Sequence, residues 1–303
     1  MEKQTEVNLS YQKVREDLGR HGYICDDAVA VVVYAALRLK RPILVEGPAG
    51  VGKTELAKAI SRWLQRTLIR LQCYEGLDES KALYEWNYRK QLLSIQAGFG
   101  SKEDWKALEQ DLFTETFLIP RPLLQAIAAD EPSVLLIDEI DKVDQEFEAM
   151  LLEILSDWQV SIPELGTVTA RVEPVVVLTS NNTRELSEAL KRRCFYIYLD
   201  YPPRAREMAI IKLKLPDIEE RLASQVVEFA QQLRQKDLKK APSIAEVIDW
   251  ARTLLEMQIN RLEGRDQREM LQATLPVLVK YRRDLDKAAD ILQSFRVSED
   301  AQV

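Results

Sequence analysis

The residues best able to do chemistry lie in one stretch, Gly47-Pro48-Ala49-Gly50-Val51-Gly52-Lys53-Thr54. It fits G-x-x-x-x-G-K-[ST], the pattern of a loop that wraps a phosphate chain. Glycines let the backbone close in, so that several N–H groups point at one anion. The N-terminus of a following helix adds its partial positive charge. Lys53 is placed to reach the β- and γ-phosphates, and the Thr54 hydroxyl suits Mg²⁺. Glu55, next along, completes the expected nucleotide-binding stretch.

A second cluster is acidic. In Ser133-Val134-Leu135-Leu136-Ile137-Asp138-Glu139-Ile140-Asp141, four consecutive aliphatics read as a fully buried parallel strand. Its acids fall at the C-terminal end, where open α/β sheets bind ligands. Downstream of a phosphate loop, Asp138 is the expected partner of Mg²⁺ and its water, and Glu139 the expected base for an attacking water. Asp141 is the next carboxylate in line. Another buried strand, Pro174 to Thr179, ends in Ser180-Asn181-Asn182. The Asn181 amide suits contact with a γ-phosphate or the water, although an asparagine there is commonly a turn residue. Lys191-Arg192-Arg193 closes a short helix from Ser187. Such a basic end complements the helix dipole.

The elements that must hold these groups follow from pattern. Pro42–Val45 is a short buried strand before the loop, and Glu55–Leu64 a helix after it. Tyr11–Arg20 and Asp27–Arg38 are helical, with Asp26 or Asp27 as N-cap of the second. Thr67–Gln72 is a strand. Between Tyr74 and Phe117 the pattern weakens: Tyr84–Tyr88 has β character, Leu92–Ile95 is read as its partner, Gly98–Gly100 as a turn, and Ser101 with Asp104 as a capping box. Arg121–Ala129 is helical, with Pro120 and Pro122 at its start. Phe147–Trp158 is an amphipathic helix, and Val160–Ile162 with Thr167–Thr169 flank a Pro/Gly turn as a hairpin. After strand Phe195–Leu199 and Pro202-Pro203, strands vanish. Helical patterns fill Ala205–Lys214, Glu219–Arg234, Ser243–Leu262 and Gln267–Phe295, which marks a domain boundary.

Composition narrows the class. The chain has 303 residues, room for two domains, with 30% charged residues and a formal charge of −7. That balance argues mildly against non-specific nucleic-acid binding. Cys25, Cys73 and Cys194 are too scattered for a metal site and predict reduced, partly buried thiols. His21 is the single histidine, so imidazole chemistry has little material. The polar start Met1-Glu2-Lys3-Gln4 has no secretory pattern, and the longest apolar run, Ala28–Leu37, is too short for a bilayer. A cytoplasmic protein without membrane contact is the expectation.

Taken in order, these pieces resemble the AAA+ ATPases, and within them the MoxR family. The matches are the loop Gly47–Thr54, the acidic strand Leu135–Glu139, the strand Val175–Asn181, Leu190–Arg193 and the helical C-terminal part. Leu178–Leu186, Arg192-Arg193-Cys194, Pro242–Glu246 and Asp249-Trp250-Ala251 are most similar to the branch that includes CoxD. The resemblance implies an α/β core with a parallel sheet flanked by helices, residues 1–201, and a helical lid, residues 202–303. It implies a helix-2 insert at about 75–117 and a pre-sensor-1 hairpin at about 159–171. Asn181 then matches sensor 1, Arg193 the arginine finger with Arg192 next in line, and Gly22–Cys25 would lie near the adenine. One departure stands out: where many relatives carry a sensor-2 arginine, this chain reads Ala241-Pro242-Ser243-Ile244, and Arg252 comes later.

The implied activity is hydrolysis of ATP with Mg²⁺ in a homo-oligomeric ring, expected to be a hexamer. Its work would be remodelling or maturing a client enzyme complex, metalloenzyme cofactor assembly included, with a von Willebrand factor A domain partner. Alternatives are a nucleic-acid motor of the McrB or RuvB type, a small-molecule kinase and a non-hydrolysing ATP-gated scaffold. No DNA-binding module is apparent for the first, and the kinase reading explains neither insert nor lid.

Overall fold

A computed structural model describes residues 10–98, 112–163, 165–262 and 267–295. The chain divides into two compact units. One comprises Met1–His21, Cys25–Glu46 and Thr54–Tyr198; the other comprises Gly22–Ile24, Gly47–Lys53 and Leu199–Val303. The glycine loop thus groups with the helical C-terminal residues, while Thr54 onward groups with the sheet.

The first unit is built on five parallel strands, β1 (Ile43–Glu46), β2 (Thr67–Gln72), β5 (Ser133–Asp138), β8 (Val175–Ser180) and β9 (Phe195–Tyr198). Their order is β2-β5-β8-β1-β9. Every residue of β1 and β5 is buried, as expected for strands covered on both faces. Leu44, Leu135, Ile137, Val176 and Leu178 share one core with Leu123, Ile127, Phe147, Leu151 and Leu190 from helices. The register sets Gln72 beside Asp138, and Glu46 beside Ser180. Chemistry-bearing residues therefore gather at one rim of the sheet, at the strands' C-terminal ends.

Local capping explains where the helices start. Asp26 accepts the Val29 N–H at 3.0 Å to open helix Asp27–Leu39, and Asp144 accepts the Phe147 N–H at 2.8 Å to open helix Gln145–Asp157. Strands β6 (Gln159–Ile162) and β7 (Gly166–Thr169) pair antiparallel, forming the expected hairpin.

The weakly patterned region differs from expectation. Leu92–Ile95 lies inside helix Tyr88–Gly98, and the partner of β3 (Tyr84–Trp86) is β4 (Leu118–Pro120), antiparallel. A short apolar run reads equally as strand or helix, and a pairing partner thirty residues away leaves no local trace. The expected capping box at Ser101 and Asp104 lies outside the described residues, as do most of the turn at Gly98–Gly100 and the middle of the region 75–117.

The second unit is helical: Arg204–Lys214, Glu220–Arg234, Ile244–Glu256, Arg268–Leu278 and Arg282–Ser294. Two expectations need correction. The helix expected to run to Leu262 stops at Glu256, and Gln258 adopts a left-handed φ of 57° just beyond. The helix expected over 267–295 is two helices broken after Leu278: Pro276 lies inside the first, the Val279 N–H still bonds the Leu275 carbonyl at 2.8 Å, and the chain turns extended at Val279. Their apolar faces meet around Phe229 and Trp250, whose rings lie 5.2 Å apart.

Candidate functional site

At the sheet rim, Asp138 is the hub. The residue is buried at 3% exposure, so its carboxylate oxygens need donors. Oδ1 accepts from the Thr179 hydroxyl at 2.5 Å and from the Thr54 hydroxyl at 3.0 Å. Oδ2 accepts from Arg70 Nε at 3.1 Å and Nη2 at 2.5 Å. Thr54 and Asp138, singled out from sequence as the Mg²⁺ pair, are thus brought together. Thr179 and Arg70 were not anticipated. A charged residue inside the otherwise apolar run Leu68-Ile69-Arg70-Leu71 was the available signal for the latter.

Glu139 follows in a left-handed conformation, φ 60° and ψ 50°. Non-glycine residues adopt that region rarely, and the bend turns the chain sharply after the strand. Its N–H is tied to Thr179 Oγ1 at 2.9 Å, while its carboxylate caps no N–H of the following turn. A partly exposed carboxylate on a fixed backbone is what a water-activating base requires.

Asp141 has a different task. Its buried carboxylate accepts from the Asn181 N–H at 3.1 Å, the Thr183 N–H at 3.0 Å and the Thr183 hydroxyl at 2.5 Å. Burial alone would raise its pKa, but these hydrogen bonds outweigh it and hold the group below the usual carboxylate range. So occupied, Asp141 is a strut for the loop that carries Asn181 and is poorly suited to serve as the reserve base.

The strut continues. Arg184 pairs with the buried Glu148 and donates to the Val143 carbonyl at 2.7 Å; Glu148 also accepts the Ser187 N–H at 3.0 Å. Ser187 caps the short helix Glu188–Arg193, whose last residues, Arg192 and Arg193, are exposed. Arg41 holds that end, donating from Nε to the Arg193 carbonyl at 3.1 Å and from Nη2 to the Arg192 carbonyl, with its guanidinium 4.6 Å from the Phe195 ring centre. Cys73 is buried beneath the acids, and burial together with Asp138, Asp141 and Glu139 pushes its thiol up to about 12. Like Cys25 and Cys194, it is a free, buried thiol.

In the helical unit, the glycine loop packs tightly. A Cβ at Gly47 would lie 2.0 Å from the Leu199 carbonyl oxygen, and one at Gly50 would lie 2.5 Å from the Ser243 Cβ. Tyr23 lies 3.7 Å from the Cβ position of Gly52. Lys53 Nζ donates to the carbonyls of Gly47 at 2.7 Å and Pro48 at 2.8 Å. Ser243, at the position without a sensor-2 arginine, instead opens helix Ile244–Glu256 through a capping box with Glu246. Arg234 supports this start: it binds the buried Glu207 through both terminal nitrogens at 2.7 Å and the Pro242 carbonyl through Nε at 2.9 Å. Arg252 is a surface residue beside Asp249.

The donor set suits magnesium. Thr54 and Asp138 offer hard oxygens, and among the described residues no cluster of three or more His, Cys, Asp or Glu could hold a metal alone. A cation here would draw its other ligands from water and phosphate, which is the habit of Mg²⁺. No described helix is long and apolar enough to cross a membrane.

Comparison with known proteins gives a consistent frame. The family described as AAA domain (dynein-related subfamily) matches residues 42–194, just over half of the chain. An uncharacterized protein of Staphylococcus haemolyticus is 26% identical over 248 residues, covering 78% of this chain and 86% of that one. One of Staphylococcus aureus is 26% identical over 245 residues, covering 78% and 84%. Among solved structures, the Thermotoga maritima RuvB Holliday junction branch migration motor aligns with a TM-score of 0.46 and 17% identity, over 89% of this chain and 70% of that one. A P216G mutant of the same motor gives 0.48 and 16%, over 89% and 71%. At that level the likeness bears on neither substrate nor partner.

Proposed function

Because the chain belongs to the AAA-domain family of AAA+ ATPases, dynein-related subfamily, we propose that it is a MoxR-type ATPase that spends nucleotide on remodelling a client complex. The observation that carries the reading is the 3.0 Å contact between Thr54, the last residue of the phosphate-loop motif, and Asp138, with Glu139 next in the chain. Mg²⁺ bound with ATP would neutralise charge on the phosphates. The chain's own residues do the rest. Lys53 binds the outer phosphates, Glu139 accepts a proton from water, and Asn181 orients that water. Arg193, or Arg192 beside it, reaches a neighbouring subunit's nucleotide in a homo-oligomeric, hexameric ring, a role that suits their exposure.

The client, a von Willebrand factor A domain partner and a cytoplasmic setting belong to the same reading and rest on the sequence resemblance. The test uses a form that binds ATP without turning it over. Glu139→Gln protein, loaded with ATP and used as bait, should retain a von Willebrand factor A domain protein together with an enzyme complex. Retention of DNA would replace this reading with a nucleic-acid motor. Wild-type turnover no faster than the Glu139→Gln form would leave an ATP-gated scaffold.

A further inference from the structure

We propose that Arg70 is a built-in counter-ion that occupies Asp138 until a divalent cation arrives with nucleotide, and that it thereby sets the Mg²⁺ concentration at which nucleotide binds tightly. The proposal rests on the reading of Thr54 and Asp138 as the metal's protein ligands.

The division of labour on Asp138 carries it. Oδ1 is held mainly by two hydroxyls, Thr179 at 2.5 Å and Thr54 at 3.0 Å. Oδ2 takes the guanidinium through Nε and Nη2, with Thr54 only at 3.3 Å. The pleat explains why Arg70 reaches it. Residues two apart on β2 share a face, and Gln72, not Arg70, sits in register with Asp138. The long Arg70 side chain therefore runs along the strand to the carboxylate and also meets Gln72 Oε1 at 2.5 Å.

The two sides of the pair differ in freedom. The Asp138 side chain is 5% exposed and that of Arg70 is 49% exposed. A buried carboxylate without a counter-charge is costly, so the cation-free protein needs Arg70. A half-exposed guanidinium can withdraw into water, and Gln72 offers it a second acceptor. A dication needs a carboxylate oxygen, and two cations on one carboxylate repel each other. Thr179 is buried and also holds the Glu139 N–H, so Arg70 is the partner free to yield.

The experiment follows a fluorescent, non-hydrolysable ATP analogue on the full chain while Mg²⁺ is added. Arg70→Gln keeps a hydrogen-bonding side chain and removes the charge. Its half-saturating Mg²⁺ should fall about tenfold, because a unit charge beside a dication is worth at least that even in a water-like dielectric. Without nucleotide the variant should melt earlier than wild type, and Mg²⁺ with the analogue should raise its melting temperature by more. Arg70→Lys keeps the charge without the fork, should lie between, and serves if the glutamine variant does not fold. In an Asp138→Asn background the effect of Arg70→Gln should vanish.

An unchanged or higher Mg²⁺ requirement in Arg70→Gln, with the analogue still bound, overturns the proposal. Wild-type binding that ignores Mg²⁺, or that keeps its Mg²⁺ dependence in Asp138→Asn, instead refutes the metal-ligand reading beneath it.

Discussion

The Thr179 hydroxyl donates to Asp138 Oδ1 over 2.5 Å, joining two neighbouring strands where their chemistry is displayed. The same oxygen accepts the Glu139 N–H, so one hydroxyl sets both acids. Thr179→Val keeps the shape and loses both bonds, taking the acceptor from the Glu139 N–H and leaving the buried Asp138 Oδ1 with Thr54 alone. The expected cost is about 1–3 kcal/mol, with slower hydrolysis, whereas Thr179→Ser should stay within about 1 kcal/mol of wild type. Urea midpoints check this; equal midpoints for valine and threonine would show the hydroxyl to be idle.

The exposed end of helix Glu188–Arg193 gives a test of assembly. Arg193→Ala should bind ATP almost normally and hydrolyse it about 10³-fold more slowly, and Lys53→Ala should not bind it. Mixed, the two inactive proteins should regain activity, because some interfaces pair an intact Lys53 site with a neighbour's intact Arg193. Absence of recovery, once subunit exchange is demonstrated, assigns Arg193 to its own subunit or to structure.

Asp141 predicts a pH dependence. Its folded-state pKa lies below the unfolded value near 4, so the unfolded chain binds the proton more readily. Its contribution is therefore complete above about pH 4 and is lost as pH falls through the lower folded value. The stability advantage of wild type over Asp141→Asn, taken from urea midpoints, should be constant near neutrality and shrink in acid. An advantage that grows on acidification would contradict the lowered pKa.

Gly50 meets two obstacles to any side chain. Its φ is +76°, and a Cβ there would lie 2.5 Å from Ser243 Cβ and 2.7 Å from its hydroxyl. Gly50→Ala should weaken binding of a fluorescent nucleotide and lower the melting temperature. Adding Ser243→Gly removes the collision at the cost of a few tenths of a kcal/mol in capping, so the double variant should recover part of the loss. A double variant no better than Gly50→Ala would leave backbone strain as the whole effect.

The sequence was most legible where chemistry is local. The glycine loop, the acids after β5 and the Asp26 cap announce themselves within a few residues. Arg70, Thr179 and Arg41 went unread because each acts on a group that is distant in the chain and near only once the sheet has formed. Asp141 was visible, but its three donors lie about forty residues on, so its role as a strut was not. Between β3 and β4 the same limit misled: apolar residues were assigned a neighbour in sequence, and the pairing skips past them.

Strand order has a consequence for the chain as it leaves the ribosome. β1 is made early, yet both of its neighbours, β8 and β9, are made after nearly all of the sheet unit. Until then this apolar strand lacks both of its neighbours in the sheet. Such delayed pairing favours slow folding and exposes sticky surface to other chains. A nascent chain halted before Val175 would carry the phosphate-loop motif and the pair β2-β5, but neither strand that flanks β1 in the sheet.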